Sequence, residues 1–395
     1  MNYDVLLDIM TFLPPQDLRR LAVTSKVLHE PSSLSMVEQV ELYRPSQVQS
    51  FHSFVIQDPT RLSLMRSLKF SPNAKSLLDD DAHGWSTGTD EIRSSGPLLA
   101  DILERAPHLR VLELWYTDIL FCIPRLRQAI KNNCPKLLTL KISQFNTWKM
   151  SPRDIQDLRP LFDSLKHRVT RLEVKSIFER PVQEVLRTLD SRLETLAVAL
   201  VSGDPSILRN GSMFPHVKNL SISGYRLLRE DISRVFPNVR QLEICEDFLI
   251  NESLCDSLQE TTEWAALETL SGDLRDVARI GLTRRVKHLN LDTYAFHSAS
   301  VPAELTLSFF STTRPRSLSL TIHSDKPKIL AILMKPILWD SLSELSYMNL
   351  IIKDLTEWAG AVHRCLVNMY DRESQKSERR IFTRFHLPAG TESTV

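Results

Sequence analysis

Side chains able to do chemistry are present in this sequence, but they are scattered. The eleven histidines run from His29 to His386, and no HExxH places two of them on one helix face to hold zinc. The five cysteines, Cys122, Cys134, Cys245, Cys255 and Cys365, are odd in number, and no close pair has the spacing of a zinc or redox motif. They read as free thiols, which places the chain in a reducing compartment, cytoplasmic or nuclear. The carboxylate pair Asp79 and Asp80 lies in a polar run, where solvation is the default. Phosphate loops need glycine for close backbone approach, yet the chain has only ten glycines and neither a Walker sequence nor a GxGxxG. GxSxG and kinase signatures are absent too. The expectation is a protein that is not an enzyme, with no catalytic residues, no metal and no cofactor.

Without a reaction to position, the chain must be read for surfaces. At 395 residues it exceeds one compact core, which suggests several domains or a repeat array. Its formal net charge of +1, with signs mixed along the chain, offers no basic field for nucleic acid. Asp4 and Asp8 interrupt the first apolar stretch, against an export signal. No apolar run reaches 18 residues, so no membrane span is expected; the best candidate, Ile329 to Trp339, is broken by Lys335 and Pro336.

Residues 1–35 read as three short helices. Val5, Leu6, Ile9, Met10 and Leu13 form a stripe at helical spacing, and Pro14 and Pro15 end it. A second helix starts at Pro15 and buries Leu18, Leu21 and Ala22; Thr24 or Ser25 caps a third over Lys26 to His29, closed by Pro31. A bundle this small rarely buries enough apolar surface to fold alone, so the rest of the chain or a partner must cover it.

The run from Asp4 through Leu13-Pro14-Pro15-Gln16-Asp17-Leu18 to Leu21 resembles the first two helices of an F-box, and Val23-Thr24-Ser25-Lys26 resembles that family's step into its third helix. Met1 and Asn2 stand where the family usually has Leu-Pro, and Leu28 near its common Trp. The resemblance implies docking on the Skp-type adaptor, and through it a cullin, with Val5, Leu6, Ile9, Leu13, Pro14, Leu18 and Leu21 at or beside the contact.

From residue 36 to 350 the pattern apolar-x-x-Leu-x-apolar recurs. It occurs at Met65/Leu68/Phe70, Leu109/Leu112/Leu114, Leu137/Leu140/Ile142, Val169/Leu172/Val174, Leu193/Leu196/Val198, Val217/Leu220/Ile222, Val239/Leu242/Ile244 and Val286/Leu289/Leu291. Val37/Val40/Leu42 is a weaker first member; Leu267/Leu270, Leu318/Leu320 and Leu342/Leu345 are partial. Spacings from 109 to 267 run from 22 to 32 residues, mostly within the leucine-rich-repeat range, and Pro107, Pro135, Pro215 and Pro237 precede four copies. Strand alternation puts the two apolar residues of each copy on one face. Crossovers such as Ile155 to Leu165, which Pro160 should kink or split, and Val182 to Leu189 carry helical spacing. The fold class expected is α/β: an F-box-like helical module followed by a curved leucine-rich-repeat-like solenoid, a parallel sheet with helices on its convex side. Thr117, Phe145 and Tyr225 stand where fuller repeats carry Asn or Cys, so no asparagine ladder is expected.

Residues 71–97, with Asp79-Asp80-Asp81, Gly84 and Gly88, read as a loop insertion. Residues 351–370, with Trp358, Val362, Leu366 and Met369 on one stripe, read as a C-terminal capping helix, and 371–395 as a disordered tail. On the outward sheet face Glu113, Trp115, Lys141, Arg171, Lys175, Tyr225, Glu243 and Asn290 are candidates for holding a protein target. The F-box resemblance implies the substrate-recognition subunit of an SCF-type ubiquitin ligase. The alternative is a scaffold solenoid with no ligase association, its first helices a mere cap.

Overall fold

The computed structural model describes residues 5–6, 9–10, 12–13, 15–72, 85–143, 152–175, 192–200, 213–224, 229–244, 264, 266–280, 282, 284–293, 303–323, 342, 344–353 and 380–386. The chain divides into two compact units, Met1–Val201 and Ser202–Val395.

In the first unit, residues 5, 6, 9 and 10 are helical. They precede α1 (Pro15–Thr24) and α2 (Lys26–Glu38). Strands β1 (Gln39–Leu42), β2 (Ser67–Phe70), β3 (Val111–Leu114), β4 (Thr139–Ser143), β5 (Arg171–Lys175) and β6 (Thr195–Leu200) follow, paired parallel in sequence order. Between them lie α3 (Pro45–Gln57), a short 3-10 turn (Pro59–Ser63), α4 (Trp85–Glu104), α5 (Thr117–Leu120), α6 (Pro124–Asn133) and α7 (Pro152–Leu165). α3 packs on α4, α4 on α6, and α6 on α7, giving one helical layer.

The pairing is in phase. Val40, Leu68, Leu112, Leu140, Leu172 and Leu196 are Cα partners in one row, and Leu42, Phe70, Leu114, Ile142, Val174 and Val198 in the next; all are buried. Each such side chain contributes roughly 1.5–3 kcal/mol before entropy is subtracted. A repeated turn resets each copy. Leu109 N–H donates to the Ala106 carbonyl and Leu137 N–H to Cys134, both at 3.2 Å, with Pro107 and Pro135 in the second turn position that suits proline's fixed φ.

Side chains then staple each copy to the one before, where an asparagine ladder is missing. Arg168 donates to the carbonyls of Cys134 (2.8 Å) and Lys131 (2.9 Å), Arg192 to His167 (3.2 Å), and Asn133 to Glu104 (3.3 Å). These reach carbonyls at helix and turn ends, that of Cys134 as a second bond beside the one from Leu137. The helical layer has its own clamp: His52 Nε2 lies 2.6 Å from Asp101, whose carboxylate also takes Arg105 (3.4 Å) and Arg125 (3.2 Å), while Arg125 reaches Glu104 at 2.7 Å. Partial burial works to raise the Asp101 carboxyl, but the His52 hydrogen bond and the nearby arginines outweigh it and hold it below the usual carboxylate range.

The second unit repeats the plan. β7 (Asn219–Gly224), β8 (Gln241–Ile244), β9 (Thr269–Asp273), β10 (His288–Thr293), β11 (Ser317–His323), β12 (Tyr347–Lys353) and β13 (Arg380–His386) are parallel and in sequence order, with α8 (Arg229–Val235), α9 (Leu274–Arg279) and α10 (Ala303–Thr313) between them. The staples recur: Asn238 donates to the Pro215 carbonyl (2.8 Å) and the Trp264 indole to Phe236 (2.9 Å). The α/β class and the parallel, leucine-rich-repeat-like array therefore stand as expected.

Several boundaries differ. Residues 85–97, expected in a loop, are helix: burial of Ile92, Leu99, Ala100, Ile102 and Leu103 outweighs the roughly 3 kcal/mol that Pro97 costs, and Gly96 leaves room for Ile123, whose Cδ1 an added Cβ would meet. Residues 73–84 lie outside the described residues. Pro31 does not close the third helix, which runs on to Glu38 and buries Ser32 and Val37. Pro160 does not split α7; its ring is exposed, while Leu158, Leu161, Phe162 and Leu165 are buried. Residues 351–353 extend β12 rather than opening a capping helix, and residues 380–386 of the expected disordered tail pair with β12, because Arg-Ile-Phe-Thr-Arg-Phe-His is rich in strand formers. The rest of the expected capping helix, residues 354–370, and the crossover Val182 to Leu189 lie outside the described residues.

The copies at Leu267/Leu270 and Val286/Leu289/Leu291 are both paired strands, although they start only 19 residues apart. The third apolar position after Leu267/Leu270 is Gly272, in register with Ile244, at φ 145°, where a Cβ would collide with the Ile244 carbonyl. The last partial copy shifts by three residues: Leu345 is its first position and Met348 and Leu350 its strand pair. Gly272→Ala is expected to lower stability by about 2–4 kcal/mol in urea unfolding. Because the Asp101 carboxyl is depressed on folding, its stabilisation is present above the ordinary carboxylate range and fades as pH falls through the depressed value. Asp101→Asn should therefore destabilise the chain near neutral pH and flatten its acid limb below about pH 4, read by thermal melts across pH.

Candidate functional site

Two surfaces merit description: the N-terminal helices and the outward strand rows. At the N-terminus, Met10, Leu18 and Ala22 are buried. The Ser25 hydroxyl accepts from Val27 N–H at 3.3 Å and caps α2, and the His29 ring sits 3.2 Å from the Ala22 carbonyl, joining α2 to α1. Five other apolar side chains are left bare. Val5 is 48% exposed, Ile9 43%, Phe12 86%, Val23 84% and Val27 66%.

Of the residues expected at an adaptor contact, Val5 and Ile9 are exposed, and Leu6, Leu13 and Leu21 are half-buried. Leu18 is buried instead: it lies one turn before Ala22 on the face of α1 that packs on α2. Pro14 lies outside the described residues. Phe12, Val23 and Val27 were missed. Their signal was available, since Val23 and Val27 are apolar residues off the buried side of their helices and Phe12 is an apolar residue in the turn before Pro15.

On the sheet, the residue between the two buried positions of each strand points outward. The in-phase register lines these up as Glu41, Lys69, Glu113, Lys141 and Glu173, alternating in sign. Lys69 Nζ lies 3.8 Å from Glu113, and Lys141 lies 3.7 Å from Glu113 and 3.4 Å from Glu173. The Tyr43 hydroxyl bonds the Glu41 carboxylate, and the Trp115 indole donates to Glu113 at 3.1 Å. Each cross-strand pair of this kind contributes roughly 0.2–1 kcal/mol. The structure therefore brings Glu113, Trp115 and Lys141 together in one neutralised row, with Arg171 exposed at the start of β5. Glu41 and Lys69 were missed, although aligning the repeats would have placed them.

Ser143, which strand alternation puts on the same face as Lys141, is buried. After β3 the chain turns at Tyr116 (φ 56°) into α5, whose Thr117 hydroxyl donates to the Ser143 carbonyl at 3.2 Å and covers it. Lys175 ends β5. In the second unit the matching row is Ser221, Glu243, Ser271, Asn290, Ser319 and Asn349. Glu243 and Asn290 are exposed, and Asn290 and Asn349 donate to Ser271 and Ser319, both at 3.3 Å. Tyr225 lies outside the described residues.

Two reactive groups of the first unit, the Cys134 thiol and the His52–Asp101 pair, sit within its packing. Burial pushes the Cys134 thiol up to about 12 despite the nearby Arg168, so it stays protonated. The His52–Asp101 pair has the geometry of a general base and its orienter, but two arginines engage the same carboxylate and tie helices together. Among the described residues no group of three or more His, Cys, Asp or Glu could hold a metal ion, and no helix is long and apolar enough to cross a membrane. Cys245, Cys255 and Cys365 lie outside the described residues.

Strands paired in sequence order, crossover helices, an in-phase apolar column and an outward polar row define a leucine-rich-repeat-like array. No protein-family model matches the chain, and no curated protein does. Among solved structures it is similar to a chain of the crystal structure of the Rad7 and Elc1 complex in yeast, at 13% identity over 78% of this chain and 77% of that one, with a TM-score of 0.38.

Lys141→Glu would set three carboxylates side by side between β3 and β5. It is expected to destabilise the chain by about 1 kcal/mol, with partial recovery in high salt, whereas Lys141→Met should cost less. Urea unfolding at two salt concentrations checks this.

Proposed function

We propose that this chain is a non-catalytic substrate-recognition subunit of an SCF-type cullin-RING ubiquitin ligase. Its N-terminal helices dock on the Skp-type adaptor, and through it a cullin, while the repeat array holds a protein target. The observation that carries the reading is the bare apolar surface on helices too short to stand alone: Phe12, Val23 and Val27 are mostly exposed beside a buried Met10, Leu18 and Ala22. Scattered exposed apolar residues are ordinary, but five within the first 27 residues of a small helical segment are suited to a partner's groove. The F-box resemblance of the same segment names the partner.

The mechanism is proximity. Ubiquitin transfer belongs to other subunits, and the chain raises the effective concentration of the target beside them. The working compartment is the cytoplasm or nucleus, where free thiols such as Cys134 persist. One observation favours the rival scaffold reading: α2 passes into β1 without a linker, so these helices also cap the array. Capping uses their buried side, and docking would use the other.

The full chain should co-purify with a Skp-type adaptor, and a chain lacking residues 1–35 should not. Val23→Asp with Val27→Asp should weaken adaptor binding by about 100-fold, since burying two unpaired carboxylates in an apolar contact costs several kcal/mol, while leaving the melting temperature close to that of the parent. Unchanged adaptor binding after the deletion would leave only the scaffold reading.

A further inference from the structure

The residue just before each of the strands β7 to β12 forms another row, at the edge where the strands begin. Lys218, Arg240, Glu268, Lys287, Arg316 and Ser346 precede β7 to β12 in turn. Backbone hydrogen bonds fix their order: Arg240 N–H donates to the Lys218 carbonyl (2.7 Å), Glu268 to Arg240 (2.8 Å), and Ser346 to Arg316 (2.9 Å). Neighbours in the row are therefore about one strand spacing apart, roughly 4.8 Å. Arg284, Arg285 and Arg314 join the same edge from the adjoining turns.

All seven cations are exposed, in a chain whose formal net charge is only +1. Two ion pairs answer Lys287 and Arg285 among the described residues. Glu268 bonds Lys287 and Glu344 bonds Arg285, each at 2.9 Å. Lys218, Arg240, Arg314 and Arg316 form no ion pair with a carboxylate among the described residues, although Glu268 stands near enough to Arg240 to feel its charge. The hydrogen bond from Lys287 holds the Glu268 carboxyl below its ordinary range, and the charges of Lys287, Arg240 and His288 add to the effect, as a local positive field requires.

We infer that this strand-entry edge docks an acidic peptide segment, its carboxylates meeting Lys218, Arg240 and Arg316. The inference rests on the reading that the array holds a protein, and it gives that protein's contact a chemistry. Arginine at two of the three positions suits carboxylates, which it can bind with two parallel hydrogen bonds. Nucleic acid fits less well. Glu268 stands in the middle of the row, where an unbroken phosphate backbone would have to pass it, while a peptide can set a neutral or basic residue opposite. The described edge also lacks the run of exposed aromatic rings on which bases would stack.

The test is a fluorescence-polarisation titration of the full chain against a labelled twelve-residue peptide of alternating glutamate and serine. An oligothymidylate of equal charge serves as the competitor class. Binding should be saturable at about 50 mM salt and weaken toward 200 mM. Combined Lys218→Glu, Arg240→Glu and Arg316→Glu should lower peptide affinity by about ten-fold or more, and the glutamine versions by less. Should the charge-reversed chain fail to fold, at least three-fold weakening in the glutamine chain supports the inference and no change overturns it. Absence of peptide binding at low salt, binding unmoved by the substitutions, or tighter binding of the oligothymidylate also overturns it. Adaptor co-purification separates the two readings: peptide binding without adaptor binding leaves this edge standing and sinks the ligase assignment, and the reverse outcome does the opposite.

Discussion

In-phase parallel pairing is the constraint from which the rest of this structure follows. In the first unit Leu68, Leu112, Leu140, Leu172 and Leu196 meet one another directly across strands; in the second, Leu220, Leu242, Leu270, Leu289, Leu318 and Met348 do so. A slip of one residue would turn each of these side chains to water. Because the inner column is in phase, the outer columns must be too. Single residues from successive copies thus become rows: Glu41 to Glu173 as a ladder of alternating charge, Ser271 to Asn349 as a line of hydroxyls and amides, and Lys218 to Arg316 as a cationic edge. None of these rows is visible within a single repeat.

The same constraint explains how neighbouring copies hold together without the asparagine ladder of fuller repeats. Arg168, Arg192 and Asn238 occupy one repeat position, immediately before the first apolar residue, and each donates to a carbonyl of the preceding copy. A charged or amide donor at that point adds a bond to such a carbonyl, with a net gain of about 1–3 kcal/mol per bond. His52, Asp101, Arg125 and Glu104 do related work in the helical layer.

Strand positions were legible because the Leu-x-Leu step has a two-residue period and a proline turn before it. The copy at Leu270 was half hidden because its next inward residue is Gly272, which the Ile244 carbonyl requires and which no apolar pattern can register. The final copy was misplaced because Leu342 stands three residues before Leu345 and mimics its role. Residues 85–97 of α4 carry a loop-like sequence, since Gly88, Gly96 and Pro97 are local breakers whose cost only tertiary packing outweighs. Of the candidate site, the exposed Val5 and Ile9 and the cluster of Glu113, Trp115 and Lys141 were legible. The neutralisation of that cluster was not, because it depends on which strands are neighbours. Phe12, Val23 and Val27 lie off the buried stripe, so helical periodicity alone does not single them out.

The N-terminal helices join these strands of argument, since their inner side continues the array and their outer side is apolar with nothing of the described chain upon it. Hydrogen–deuterium exchange of the full chain, alone and mixed with a Skp-type adaptor, tests this most directly. The account predicts new protection confined to residues 5–27, with the amides of β1 to β6 unchanged. Protection of the strands with none over residues 5–27, or no change anywhere at saturating adaptor, would contradict it.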